Sequence, residues 1–313
     1  MAGRVTSRAF RFGLSAKEPR PKAEWMAFAQ RLERLGYDTL VMPDHFGARL
    51  AIAPALVLAA QATSRLRVGS LVYNNDFRHP ALLAQEVATI DLLTEGRFDF
   101  GIGAGWLKTE YDATGLPFDA GRVRVERLAE AVHVIKRLLR GEAVTFSGQH
   151  YTFAGLTAGF PTVQQPHPPI VIGGGGRQLL MLAAQEADVI SIMPRSRSDG
   201  SGLDTTDGTE EAFARKTDWI REAAGDRFHS LELNTLVQAV VITDDRGAAA
   251  ARLTSQFEQP AEALLDSPLF LIGSVDQIIA LLEQRRARLG ISSITVFEKD
   301  VDNLAPVIER IGR

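Results

Sequence analysis

The sequence has no cysteine among its 313 residues. That excludes disulfides, thiolate metal sites and a cysteine nucleophile, and it fits a reducing compartment. No stretch approaches the roughly 18 apolar residues that a membrane-spanning helix requires. The 6 histidines show no paired spacing of the H-E-x-x-H kind, so no metal site is expected. Long blocks of one charge are also lacking. With 35 Lys and Arg against 38 Asp and Glu, the net charge is −3, and nothing forms the basic footprint that nucleic acid would need. Arg4, Arg8 and Arg11 precede the first acidic residue, Glu18, but no signal-like apolar run follows them. The expectation is a cytoplasmic protein with a frayed start.

What is present is 45% hydrophobic and 23% charged residues, ordinary for a soluble globular enzyme. The central stretch is Arg97 to Tyr111, RFDFGIGAGWLKTEY. Phe98, Phe100 and Ile102 alternate with Asp99, Gly101 and Gly103, the period of a buried strand. Gly101, Gly103 and Gly105 weaken such a strand and need a reason. Either a ligand or another backbone approaches closely, or a barrel interior is tight enough to require small side chains.

Strand and helix patterns alternate along the rest of the chain. Strands are expected at Phe10 to Ala16, Asp38 to Pro43, Leu66 to Tyr73, the central stretch, Pro169 to Ile172, Asp188 to Met193, within Leu231 to Thr243, and Ser292 to Phe297. Helical periodicity follows nearly every one: Trp25, Phe28, Ala29, Leu32 and Leu35 up to Gly36; Pro54 to Thr63; Pro80 to Leu93; and a long helix after Pro117 to about Arg140. Further helices fall near 177–186, 210–223, 247–257, 275–289 and 301–311. Ala143 to Ala154 reads as a β-hairpin turning at Ser147-Gly148, within an excursion near 141–166. Residues 195–209, rich in Ser, Gly, Asp and Thr, read as a mobile loop. On the long helix, Glu126, Arg127, Glu130 and Lys136 read as a largely solvated face. Eight alternating units predict a single (β/α)8 TIM barrel over 1–313 with insertions; a doubly wound open sheet is the alternative.

In a barrel the segments that follow the strands share one rim, where active sites are found. That rule gathers Asp44, His45, Tyr73, Asn74, Gly103, Ala104, Gly105, Trp106, Gly173, Gly174, Gly175, Gly176 and Met193. The four successive glycines between a strand and a helix read either as a phosphate cradle of backbone N–H groups, with Arg177 adding charge, or as a flexible turn. His45 is the side chain suited to moving a proton near neutral pH, with Asp44 orienting it or binding ligand; a structural histidine is the alternative. Asn74 offers a donor and an acceptor, and Trp106 an aromatic wall. Arg195 and Arg197 read as solvated, or as a clamp for an anionic tail.

These residues carry a resemblance. GYDTLVMPDHFG at 36–47, the run 66–118 around VGSLVYNNDFRHP and RFDFGIGAGWLKTEY, RVRVERLAEAVHVIKRLL at 122–139 and PPIVIGGGGRQLLMLAAQEADVI at 168–190 follow one another as in the luciferase-like monooxygenase superfamily. A weaker match runs through IGSVDQIIALLEQRRARLGISSITVF. Within that superfamily the chain resembles the branch using the deazaflavin coenzyme F-420. The resemblance implies a bacterial-luciferase-like barrel with the cofactor ring in its mouth, over a bulge with a cis peptide at Leu71-Val72. It further implies that Asp44, Asn74, Ala104 and Thr109 contact the ring, that Gly175 and Gly176 hold the phosphate, and that His45 assists hydride transfer. Trp106 stands where the sugar-phosphate dehydrogenases of this branch have an acidic glutamate, so that reaction is not expected. The implied activity is an F-420-dependent oxidoreductase acting on a small organic substrate. The alternatives are a two-component monooxygenase using reduced FMN and a cofactor-binding protein without turnover. A homodimer and a flavin or deazaflavin reductase as functional partner are also implied.

Overall fold

The computed structural model describes residues 8–312. The expected frayed start falls mainly on residues 1–7, outside the described residues. Eight parallel strands form the core: β1 Arg11–Ser15, β2 Thr39–Met42, β3 Arg67–Ser70, β4 Phe98–Gly103, β5 Ile170–Gly174, β6 Val189–Ile192, β7 Glu232–Leu236 and β8 Ile291–Phe297. Each pairs with the next, and β8 returns to β1 in a register running from Arg11↔Ser293 to Ser15↔Phe297. The sheet therefore closes into a barrel, and the open-sheet alternative is set aside.

The helices form because one face of each can be buried on the strands. Lys22–Arg34 buries Trp25, Ala29 and Leu32, and the Trp25 indole N–H donates to the Ala55 carbonyl at 2.8 Å. Gly121–Leu139 buries Leu128, Val132, Ile135 and Leu139 along one stripe. Each such fully buried side chain contributes about 1.5–3 kcal/mol of transfer free energy. Among the described residues, no helix is long and apolar enough to cross a membrane.

The structure departs from the sequence expectations at five places. The third strand is not continuous from Leu66 to Tyr73. It leaves the sheet after Ser70, contains a cis Leu71–Val72 peptide, and resumes at Tyr73–Asn74. Between Gly69↔Asp99 and Tyr73↔Ile102 it advances one residue more than β4, which is a bulge. Second, the stretch 231–243 splits into β7 and a separate strand, Ala239–Ile242, paired with an unforeseen strand, Phe270–Gly273. An unforeseen helix, Ala261–Asp266, precedes that strand. Third, a short helix, Lys108–Thr114, follows β4.

Fourth, residues 195–209 fold upon themselves. Ser196 bridges Leu203, Arg195 pairs with Asp204 at 2.9 Å, and Thr205–Gly208 form a 3-10 turn. Local side-chain-to-backbone bonds make this order, and they leave no hydrophobic period to read. Fifth, the polar face of the Gly121–Leu139 helix is wired rather than merely solvated. Arg127 pairs with Asp76, Lys136 pairs with Glu186, and Glu130 accepts three backbone N–H groups from the hairpin at Gln149, His150 and Tyr151.

Candidate active site

At the C-terminal ends of the strands lies a cavity of about 690 Å³. Ser15, His45, Asn74, Ala104, Gly174, Met193, Gln238 and Phe297 line it, each from the end of a different barrel strand or the segment just after it. Of the residues singled out from sequence, Asp44, His45, Leu71, Val72, Asn74, Gly103 to Trp106, Gly173 to Arg177 and Met193 all line this one cavity. Thr109 does not; it sits exposed in the first turn of the Lys108–Thr114 helix, and its neighbour Glu110 reaches the cavity instead. Arg195 lines the cavity, whereas Arg197 is not among the lining residues.

The bulge explains most of the central glycines. A Cβ on Gly101 would lie 1.9 Å from the Ser70 carbonyl oxygen, and one on Gly103 would lie 2.7 Å from Val72 Cγ2. Gly105, at φ +72°, would meet the Tyr111 hydroxyl at 1.9 Å. The close neighbours are therefore the protein's own chain: another backbone for Gly101, as one of the readings expected, and the Val72 and Tyr111 side chains for Gly103 and Gly105. Ser70 reinforces the contact, its hydroxyl donating to the Gly101 carbonyl at 2.7 Å.

The four-glycine run divides. A Cβ on Gly175 would lie 2.2 Å from the Met193 carbonyl oxygen, so this glycine lets β5 pass the end of β6. The same Met193 carbonyl accepts from the buried Lys216 ammonium at 2.9 Å, which fixes that wall. Gly176 has no such reason: a Cβ there would meet nothing within 4 Å, and its φ of −78° suits any residue. It caps the Arg177–Glu186 helix, whose N-terminus has no side-chain cap. Uncapped backbone N–H groups beside an open position and a basic Arg177 fit a phosphate. Leu71, Val72 and Ala104 supply an apolar wall on which a flat ring fits.

His45 has a partner that sequence reading missed. Its Nδ1 lies 2.9 Å from Glu110 Oε2, while Glu110 Oε1 accepts the Phe46 N–H at 2.9 Å. The Trp106 ring meets the imidazole edge-on at a centroid distance of 5.9 Å. With Nδ1 engaged by a carboxylate, Nε2 is the atom left to give or take a proton. Asp44 does not play the orienting part. It accepts the Asn74 N–H at 3.0 Å and is held by Arg78 at 2.5 Å, joining the β2 and β3 ends. Asn74 Oδ1 in turn accepts from the Asp76 N–H at 3.1 Å, and the Tyr111 hydroxyl, which has one proton to give, lies 3.1 Å from Asn74 Oδ1 and 2.9 Å from the Asp76 carboxylate. Burial, together with the charge of Asp76, pushes the Tyr111 phenol well above its usual pKa, so it remains a neutral donor.

Glu110 and Arg49, which line the cavity, and Arg78, which holds Asp44, are side chains that pattern reading did not single out. The one available signal for Glu110 was an acid in the first turn after the glycine stretch, and its partner lies 65 positions away.

The coenzyme F-420 dependent tetrahydromethanopterin reductase from Methanopyrus kandleri superposes with a TM-score of 0.74 at 17% identity, covering 98% of each chain. An F-420-dependent secondary alcohol dehydrogenase gives 0.75 at 20% identity, over 97% of this chain and 99% of that one. A long-chain alkane monooxygenase gives 0.76 at 12% identity, over 98% and 92%. These likenesses concern the fold. The sequence model of the luciferase-like monooxygenase family matches residues 5–287, and on that match the chain belongs to this family.

Proposed function

We propose that the cavity holds the deazaflavin coenzyme F-420 and that the chain is an oxidoreductase passing a hydride between it and a small organic substrate. The observation that carries this reading is the His45–Glu110 pair at 2.9 Å, set in the same cavity as the bulged apolar wall and the open Gly176 position. Reduced F-420, when bound, supplies a hydride from C5 of its ring. The chain's own residues then have three tasks. Leu71, Val72 and Ala104 give the ring a dry face, and Asn74 Nδ2 offers it donors. The N–H groups at Gly176 and Arg177, with the Arg177 charge, take the phosphate. His45 Nε2 delivers a proton to the acceptor, or removes one in the reverse direction, while Glu110 keeps Nδ1 protonated and the ring aimed.

Trp106 leaves no carboxylic acid at its own position, which makes His45 the proton-handling group of this cavity. The test is His45→Ala. The expected result is a fall in turnover of about 10²-fold or more, with F-420 affinity changed by less than about 3-fold. A turnover equal to that of the unaltered protein would remove His45 from the mechanism. Reduced FMN has a ring of the same shape, and oxygen consumption with it would make the chain a two-component monooxygenase instead.

A further inference from the structure

The cations around the cavity are not equivalent. Arg195 pairs with Asp204 at 2.9 Å and Arg122 with Glu126 at 2.8 Å. Arg124 donates to the Asp119 carbonyl and lies over the Phe118 ring at 4.0 Å. Arg177 has Glu222 at 3.9 Å and the Trp219 ring at 5.8 Å, and Lys17 is exposed to solvent. Arg49 and Arg124 each keep one buried nitrogen without a hydrogen-bond partner, Nη1 and Nε respectively. Arg49, itself half-buried, is however the one arginine of the cavity whose guanidinium has no hydrogen bond, ion pair or aromatic ring among the described residues.

A nitrogen of a half-buried guanidinium that is out of water and without an acceptor carries a free-energy cost that an acceptor for this cation would relieve. The acids of the cavity cannot relieve it, because Asp44 is taken by Arg78 and Glu110 by His45. Arg49 lines the cavity, so a ligand held there can supply the acceptor that no protein group does. Arg49 sits on the segment after β2, four positions beyond His45, whereas the phosphate-like glycines follow β5, three strands round the barrel. An anion that meets Arg49 is thus held from the β2 side of the cavity, the side from which His45 comes, whereas Gly176 comes from the β5 side.

We infer that Arg49 recognises an oxyanion group of the substrate, a carboxylate or a phosphate, so that the substrate class is a small acid. This rests on the reading of the cavity as a hydride-transfer site. The planar guanidinium fork matches two oxygens of such a group at once, which a lysine cannot do. It would fix the acid end and leave the reacting carbon near His45.

The test is calorimetric titration of the purified protein, without cofactor and again saturated with oxidised F-420. The probes are cinnamate, phenyl phosphate and the neutral isostere cinnamamide. At least one anion is expected to bind about 10-fold or more tightly than cinnamamide. The tighter of the two anions identifies the oxyanion. Arg49→Met is expected to reduce the preference to within about 2-fold while F-420 affinity stays within about 3-fold, and Arg49→Lys to keep part of the preference. Three results would overturn the inference: no preference for either anion at concentrations up to about 10 mM, a preference that survives Arg49→Met, or an F-420 affinity that falls with it. If F-420 fails to bind the unaltered protein, the deazaflavin reading fails, while the cofactor-free titration still decides the role of Arg49.

Discussion

At the N-terminal ends of the strands Arg11, Arg67, Asp99 and Glu232 satisfy one another; at the C-terminal ends Arg49 has no partner among the described residues and Gly176 faces open space. Arg11 reaches both Asp99 and Glu232 at 3.0 Å, and Arg67 reaches Asp99 at 2.6 Å. Burial works against the charge on Arg11, but Asp99 and Glu232 outweigh it and raise its pKa above the usual arginine value. The same fold thus spends charged side chains in two ways. At one end they close the barrel among themselves, and at the other Arg49 is left without a partner among the described residues. Polar groups left unsatisfied in a buried place mark function more sharply than charged residues as such.

Substitutions at the two ends should separate these uses. Asp99→Ala leaves Arg11 and Arg67 without their shared carboxylate and should lower stability by about 3–5 kcal/mol, read from the urea midpoint. A loss below about 1 kcal/mol would show that the network is not what closes this end. At the other end, His45→Ala should cost about 10²-fold in turnover, or about 2.7 kcal/mol of barrier, with the urea midpoint nearly unchanged. Glu110→Gln should have a smaller effect, about 10-fold in turnover, because the imidazole loses its carboxylate partner but keeps its place.

Two adjacent glycines sharpen the contrast at finer scale. Gly175→Ala puts a methyl against the Met193 carbonyl and should destabilise the fold by about 1–3 kcal/mol. Gly176→Ala meets nothing in the protein and should change stability by less than about 0.5 kcal/mol, while weakening F-420 binding about 10-fold. Equal stability losses in both would mean that Gly176 serves packing too.

The smallest effect concerns Glu130, whose carboxylate caps the hairpin on the outer face. Burial raises its pKa, but the backbone N–H groups of His150, Gln149 and Tyr151 outweigh this, and the net result lies below the usual 4.5. A carboxylate depressed in the folded state stabilises above its unfolded pKa and loses that contribution as pH falls through the folded value. The unaltered protein should therefore exceed Glu130→Gln in urea midpoint at pH 7, and the gap should close as the pH falls below 4.5. A gap independent of pH would mean that the bond, not the charge, matters.

Much of this architecture was legible in the sequence because barrel units have a strong period. Phe98, Phe100 and Ile102 mark their strand without help, and the rim rule then brings Asp44, His45, Asn74 and Gly173 to Gly176 together. The resemblance added the bulge at Leu71–Val72, which no periodicity predicts. What stayed hidden is pairing between segments. His45 with Glu110, Asp44 with Arg78 and Arg49 with nothing are facts of side-chain direction across loops. The order within 195–209 was hidden for a related reason, since it comes from Asp204 and Asp207 bonding nearby backbone rather than from buried apolar faces. The strand at 270–273 is too short for its four buried residues to set a period.

The most direct test is a fluorescence titration of the purified protein with F-420 and, separately, FMN, each oxidised and reduced, followed by turnover with and without oxygen. Selective binding of F-420, with oxygen-independent turnover that collapses in His45→Ala, is the predicted result. Preference for reduced FMN with oxygen consumption would contradict it.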